Sequence, residues 1–133
     1  MTEQTPRNLR NDLKGRSGLR RLWNACLYSC DGFGAAWRDE QAFRQIVWGC
    51  VFGLPLACWL GQTWGDRALL SLVLLIALLV ELLNSAIENV VDRISPDLHP
   101  LSKKAKDMGS AAQLIAQMGI LLVWGTYVVS RFL

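Results

Sequence analysis

Histidine occurs once in this 133-residue chain, tyrosine twice and proline four times. Charge is scarce too: Asp, Glu, Lys and Arg make up 19% of the residues, against about 25% in an average soluble domain. None of that charge falls in 68–80 or in 111–130. Four cysteines (26, 30, 50 and 58) beside a single histidine form no zinc-ligand pattern, so they read as small apolar residues. The phosphate-binding motif G-x-x-x-x-G-K-[ST] is absent, as are G-x-G-x-x-G, H-R-D and D-F-G, which excludes P-loop and protein-kinase chemistry of the soluble kinds. Uncharged blocks this long exclude a disordered chain and a disulfide scaffold. They also exclude a soluble nucleic-acid-binding domain, so no nucleic-acid partner is expected.

What is present is apolar length. Residues AVILMFWYC make up 52% of the chain, and three blocks approach the about 20 residues that cross a bilayer. They span 47–64, 68–91 and 111–132. Backbone groups in lipid must be satisfied within the segment, so each block is expected to be helical. Pro55 is expected to kink the first. A soluble bundle is the alternative, but 133 residues cannot wrap three such helices in polar surface. The expected class is all-α: one integral membrane domain over 1–133, with 1–46 cytoplasmic or interfacial and three transmembrane helices. The first forty residues hold no short apolar run with a cleavage site, so retention of the whole chain is expected.

Twelve of the 14 Lys and Arg residues fall in the N-terminal segment or between the second and third blocks. The positive-inside rule places both in the cytoplasm. The Gly65-Asp66 turn and the C-terminus are then on the periplasmic side. Before the first block, Leu19, Leu22, Trp23, Cys26, Leu27 and Cys30 share one helical face, with Arg20, Arg21 and Asn24 off it. This stretch reads as an amphipathic helix lying in the membrane interface. A soluble partner-binding helix is the alternative. Asp31-Gly32-Phe33-Gly34 is expected to break it, with a second short helix over 35–44. Trp23, Trp37, Trp48, Trp59 and Trp64 suit interface anchoring; Trp124 has no such explanation.

Bilayer placement does not explain the acids of the second block. Glu81, Asn84, Glu88 and Asp92 follow i, i+3, i+7, i+11 and line one helical face. A charged residue at the depth of Glu81 costs about 2.5–3.5 kcal/mol on insertion scales, and such residues are functional by default. A polar clamp between helices is the structural alternative. Lys106, Asp107, Ser110, Gln113 and Gln117 open the third block, and Glu40 precedes the first on the same side. Magnesium is held by one or two carboxylates plus substrate phosphates, and Glu40 and Glu88 could serve. Phosphoryl transfer needs positive charge on phosphates and an acceptor for a hydroxyl proton; Lys106 could supply the first and Glu81 the second. A kinase at the membrane interface follows as one possibility. His99, in a Pro-flanked loop, reads as a solvated loop histidine.

The string E-L-L-N-S-A-I-E-N-V-V-D (Glu81–Asp92) resembles the signature of the small prokaryotic diacylglycerol kinases. W-R-D-E-Q-A-F-R-Q (Trp37–Gln45) and A-K-D-M-G-S-A-A (Ala105–Ala112) resemble the segments before that family's first and third membrane helices. The likeness covers roughly residues 20–133 and points to the Gram-negative type. It implies a homotrimer in the bacterial inner membrane with active sites shared between subunits. It also implies phosphorylation of diacylglycerol to phosphatidic acid with ATP as cosubstrate and Mg²⁺ as metal. By the same resemblance Glu81 is the general base, and Glu40 and Glu88 bind the metal. Arg21, Tyr28, Asp97, His99, Lys106 and Asp107 join Glu40 and Glu88 in contacting nucleotide. Arg21, Ser29, Ala42, Arg44, Trp59, Arg67, Asn84 and Ser110 match positions near the lipid or supporting the site. Ile46, Cys30 and Asp31 depart from the family pattern.

Three rival readings are a kinase for another lipid alcohol such as undecaprenol, a small proton-coupled transporter, and a non-catalytic assembly subunit. The transporter would account for Glu81 but not for Glu40, Glu88 and Lys106-Asp107.

Overall fold

A computed structural model describes residues 18–94 and 99–133. Asp97 and the basic residues Arg7, Arg10, Lys14 and Arg16 lie outside the described residues. The chain divides into two units, Met1–Ala35 and Ala36–Leu133. All regular structure among the described residues is helical: α1 (Leu19–Asp39), α2 (Gln41–Leu60), α3 (Trp64–Ile94) and α4 (Pro100–Phe132). The last three are long and apolar enough to cross a membrane.

α1 passes unbroken through Asp31–Gly34, contrary to expectation, and no separate helix forms over 35–44. Each glycine costs about 1 kcal/mol in a helix, which a 21-residue helix absorbs. The break comes at Glu40, whose backbone is extended (φ −111°, ψ 113°). Its cause is the next helix. Arg44 Nη1 donates to the carbonyls of Trp37 (2.8 Å) and Arg38 (3.1 Å). A helix end leaves such carbonyls without partners, and the guanidinium supplies one.

The turn after α2 is 61–63, not Gly65-Asp66, because Asp66 sits inside the first turn of α3 and starts it. Thr63 N donates to Asp66 Oδ2 (3.0 Å) and Asp66 N to Thr63 Oγ1 (3.1 Å), a reciprocal capping box. A Cβ on Gly61 would lie 2.9 Å from both the Ala57 carbonyl oxygen and the Arg67 amide nitrogen. Backbone so close leaves room for glycine alone.

α3 and α4 outrun the bilayer. At 1.5 Å per residue they are about 46 and 50 Å long, against about 30 Å of hydrocarbon. Arg93, Lys103, Lys104 and Lys106, expected in a loop, are therefore helical. His99 caps α4: its Nδ1 accepts from Leu101 N (3.2 Å), and Pro100 opens the helix. Proline suits that position, where no amide hydrogen is needed.

α3 packs against both α2 and α4. Its buried residues, Leu70, Leu74, Ala77, Glu81 and Ser85, form one stripe. Opposite lie small residues, Ala57 of α2 and Gly109 and Ala116 of α4, which let membrane helices approach closely. At the end of the bundle far from His99, Trp124 Nε1 donates to the Leu70 carbonyl (3.2 Å) and Tyr127 Oη to the Leu60 carbonyl (2.8 Å). Those bonds tie α4 to α3 and to the end of α2, and they give Trp124 its role. Leu72, Leu79, Leu121 and Leu122 remain exposed, as lipid-facing residues are.

Candidate active site

The charged end of the bundle contains a cleft of about 520 Å³. α2 lines it with Ala42, α3 with Glu81, Asn84 and Glu88, and α4 with Asp107, Ser110, Gln113 and Gln117. The i, i+3, i+7 spacing on α3 thus becomes one wall. Glu81 lies deepest of its three acidic and amide residues and is 3% exposed, because it continues the buried stripe. Asn84 Nδ2 donates to Glu88 Oε1 at 3.2 Å, one turn on. Glu40 stands at the break just before α2, the helix that lines the cleft with Ala42.

Two lysines are paired at this end of the bundle. Lys106 Nζ meets Asp92 Oδ1 at 2.6 Å, joining the end of α3 to α4, and Lys103 meets Asp107 at 2.5 Å. These are the ion pairs among the described residues, so Glu40, Glu81 and Glu88 face no side-chain cation within ion-pair distance. Glu81 and Glu88, two cleft carboxylates without an ion-pair partner among the described residues, suit a cation arriving with a ligand. Among the described residues no cluster of three or more His, Cys, Asp and Glu is poised to hold a metal by itself. Two carboxylates completed by phosphate oxygens is the arrangement magnesium takes with nucleotides, and the donor set fits it.

The other expected residues are scattered. Arg44 caps α1, as above, and His99 caps α4. Trp59 is exposed at the far end of α2. Arg67 donates its Nε to the Gly61 carbonyl (2.9 Å) and lies 5.4 Å from the Trp64 ring centroid. It is about 21 Å along α3 from Glu81, so one subunit does not bring Trp59 and Arg67 to the cleft. Arg21, Tyr28 and Ser29 lie on α1 within the first unit, where all three are exposed. Ser29 Oγ donates to the Ala25 carbonyl (2.9 Å).

One polar residue of the cleft was not expected there: Gln113 is 8% exposed, and its side chain has no hydrogen-bond partner among the described residues. The i, i+4 pairing of Gln113 with Gln117 hinted at a polar face, but burial of Gln113 depends on α3 packing over it.

Gly109 sets how closely α3 and α4 approach here. A Cβ at 109 would collide with the amide of Asn84. Gly109→Ala is expected to lower stability by about 1–3 kcal/mol, the usual overpacking cost. It should also weaken activity by displacing Asn84 from Glu88. Thermal inactivation and turnover measured on one preparation check this, and wild-type behaviour in both contradicts it.

The family model for prokaryotic diacylglycerol kinase matches residues 27–128. The diacylglycerol kinase of Pseudomonas aeruginosa is 56% identical over 113 residues, covering 85% of this chain and 92% of that protein. That of Helicobacter pylori (strain 26695) is 46% identical over 116 residues, covering 87% and 91%. That of Escherichia coli K12 is 44% identical over 116 residues, covering 87% and 95%. With its membrane helices, its acid-lined cleft and this likeness over most of its length, the chain belongs to the prokaryotic diacylglycerol kinase family.

Proposed function

We propose that this lipid kinase transfers the γ-phosphoryl group of ATP to the free hydroxyl of diacylglycerol, giving phosphatidic acid and ADP. The observation that carries the reading is a buried carboxylate, Glu81, opening into a cleft shared with Glu88 and Asn84 at the charged end of three membrane-length helices. Glu81 takes the hydroxyl proton as the alkoxide oxygen bonds to the γ-phosphorus. The bond from that phosphorus to the β,γ-bridging oxygen breaks, and ADP leaves. Glu40 and Glu88 hold Mg²⁺, which when bound neutralises phosphate charge. Lys106 and Asp107, at the water-side rim, contact nucleotide together with Asp97, His99, Arg21 and Tyr28. Asn84, Ser110 and Ala42 flank the lipid; Ser29, Arg44, Trp59 and Arg67 act at the lipid boundary or as support. Release of Lys106 from Asp92 is a modest step, since solvent screens an exposed ion pair.

The lysine-rich end faces the cytoplasm of a bacterial inner membrane, where ATP is available, and the C-terminus faces the periplasm. α1 lies in the interface through its apolar face. The working form is a homotrimer with sites completed between subunits.

The test is purified protein with radiolabelled ATP and vesicles carrying both diacylglycerol and undecaprenol. Label is expected in phosphatidic acid, and EDTA should abolish it. Label chiefly in the polyprenyl phosphate would overturn the choice of acceptor. Proton-driven flux without labelled lipid would overturn the kinase reading.

A further inference from the structure

Gln113 stands out because no group among the described residues pairs with it. Its side-chain nitrogen and oxygen are both closed off and unpartnered, the residue is 8% exposed, and it lines the cleft. In apolar surroundings an unpartnered amide is destabilising, and such a group calls for an occupant that satisfies it. The register of α3 and α4 gives its depth. Gly109 lies against Asn84, and Trp124 reaches the Leu70 carbonyl. Moving from the first contact toward the second, Glu81 is three residues deeper on α3 and Gln113 four deeper on α4. The two are therefore level, on facing helices.

We propose that Gln113 recognises an ester carbonyl of the acceptor lipid. This rests on the reading of Glu81 as the base for diacylglycerol. In that lipid only one carbon–carbon bond and one ester linkage separate the reacting hydroxyl from the neighbouring ester carbonyl. A hydroxyl held at Glu81 therefore sets the carbonyl beside it, at the depth of Gln113. The amide Nε2 donates to that oxygen, a bond no hydrocarbon chain or ether oxygen of similar size replaces equally. Gln117, one turn deeper along the same wall, is exposed and carries no such constraint. Gln113 is thus a specificity-determining residue and takes no part in proton transfer.

The experiment compares a diester glycerol with its dialkyl ether analogue of equal chain length, as separate acceptors in the same vesicles with saturating Mg-ATP. Wild-type protein is expected to favour the diester in kcat/KM by about ten-fold, the scale of one buried hydrogen bond. Gln113→Leu and Gln113→Met should fall to the ether rate with both lipids, so that the preference is lost. Both variants remove buried unpartnered atoms, and their thermal inactivation is expected to shift upward or stay unchanged. The Met variant, nearest in length, keeps the comparison readable if Leu packs poorly. An unchanged preference in these variants overturns the assignment and leaves the kinase reading intact. An equal loss with both lipids also overturns it, because the amide then serves the hydroxyl or Glu81. Failure of wild-type protein to phosphorylate either glycerolipid removes both readings.

Discussion

Glu81→Gln is expected to reduce turnover by about 10²–10⁴-fold, the usual contribution of a positioned general base, with nucleotide affinity nearly unchanged. The amide keeps the shape of the side chain in a position that is 3% exposed, so packing along α3 is preserved. What it loses is the capacity to take a proton. An interaction made only as the hydroxyl attacks shows up in kcat and kcat/KM together, not in ground-state binding. Stability should not fall, since a buried ionisable group without a cationic partner among the described residues has been replaced by a neutral one. The measurements are phosphatidic acid formation, binding of a nucleotide analogue and thermal inactivation. Turnover within two-fold of wild type would remove Glu81 from the mechanism.

Glu88→Gln probes the other half of the chemistry. Glu88 Oε1 accepts from Asn84, and a glutamine can keep a bond to Asn84 through its own oxygen. The variant therefore retains the wall of the cleft while losing the charge. Magnesium binds hard, anionic oxygens, so the concentration for half-maximal activity should rise by on the order of 100-fold, near the top of the range for perturbed metal sites. Excess metal should restore most of the turnover, which separates this variant from Glu81→Gln, where no metal concentration should help. An unchanged titration would mean Glu88 does not bind the ion.

Hydropathy made the three membrane helices legible because lipid imposes long uncharged runs. It could not mark where the helices stop. Charged residues such as Lys103 and Lys106 are good helix formers once outside the hydrocarbon, so α4 begins at Pro100, eleven residues before the apolar block. The same limit hid the junction at Glu40. Two glycines near Phe33 look like a break in a one-dimensional reading, whereas the actual interruption depends on Arg44 reaching back to two carbonyls. Periodicity placed Glu81, Asn84 and Glu88 on one face, and folding turned that face into a wall. It could not reveal that Gln113 would be sealed without partners, because burial there comes from a different helix. His99 lies exposed and outside α4, as a loop residue does; that it caps the helix depends on backbone direction, which one isolated histidine does not disclose.

The length of α3 and α4 bears on how the protein tolerates different bilayers. Roughly twenty residues of each suffice for the hydrocarbon; the remainder continues as the same stiff rod into water. A fat-soluble reactant and a water-soluble one are thus measured off against a single ruler. Thinning or thickening the lipid slides that ruler up or down without altering the gap between its marks. Membrane thickness should then govern how readily each reactant reaches the protein, while the meeting distance of the two stays constant.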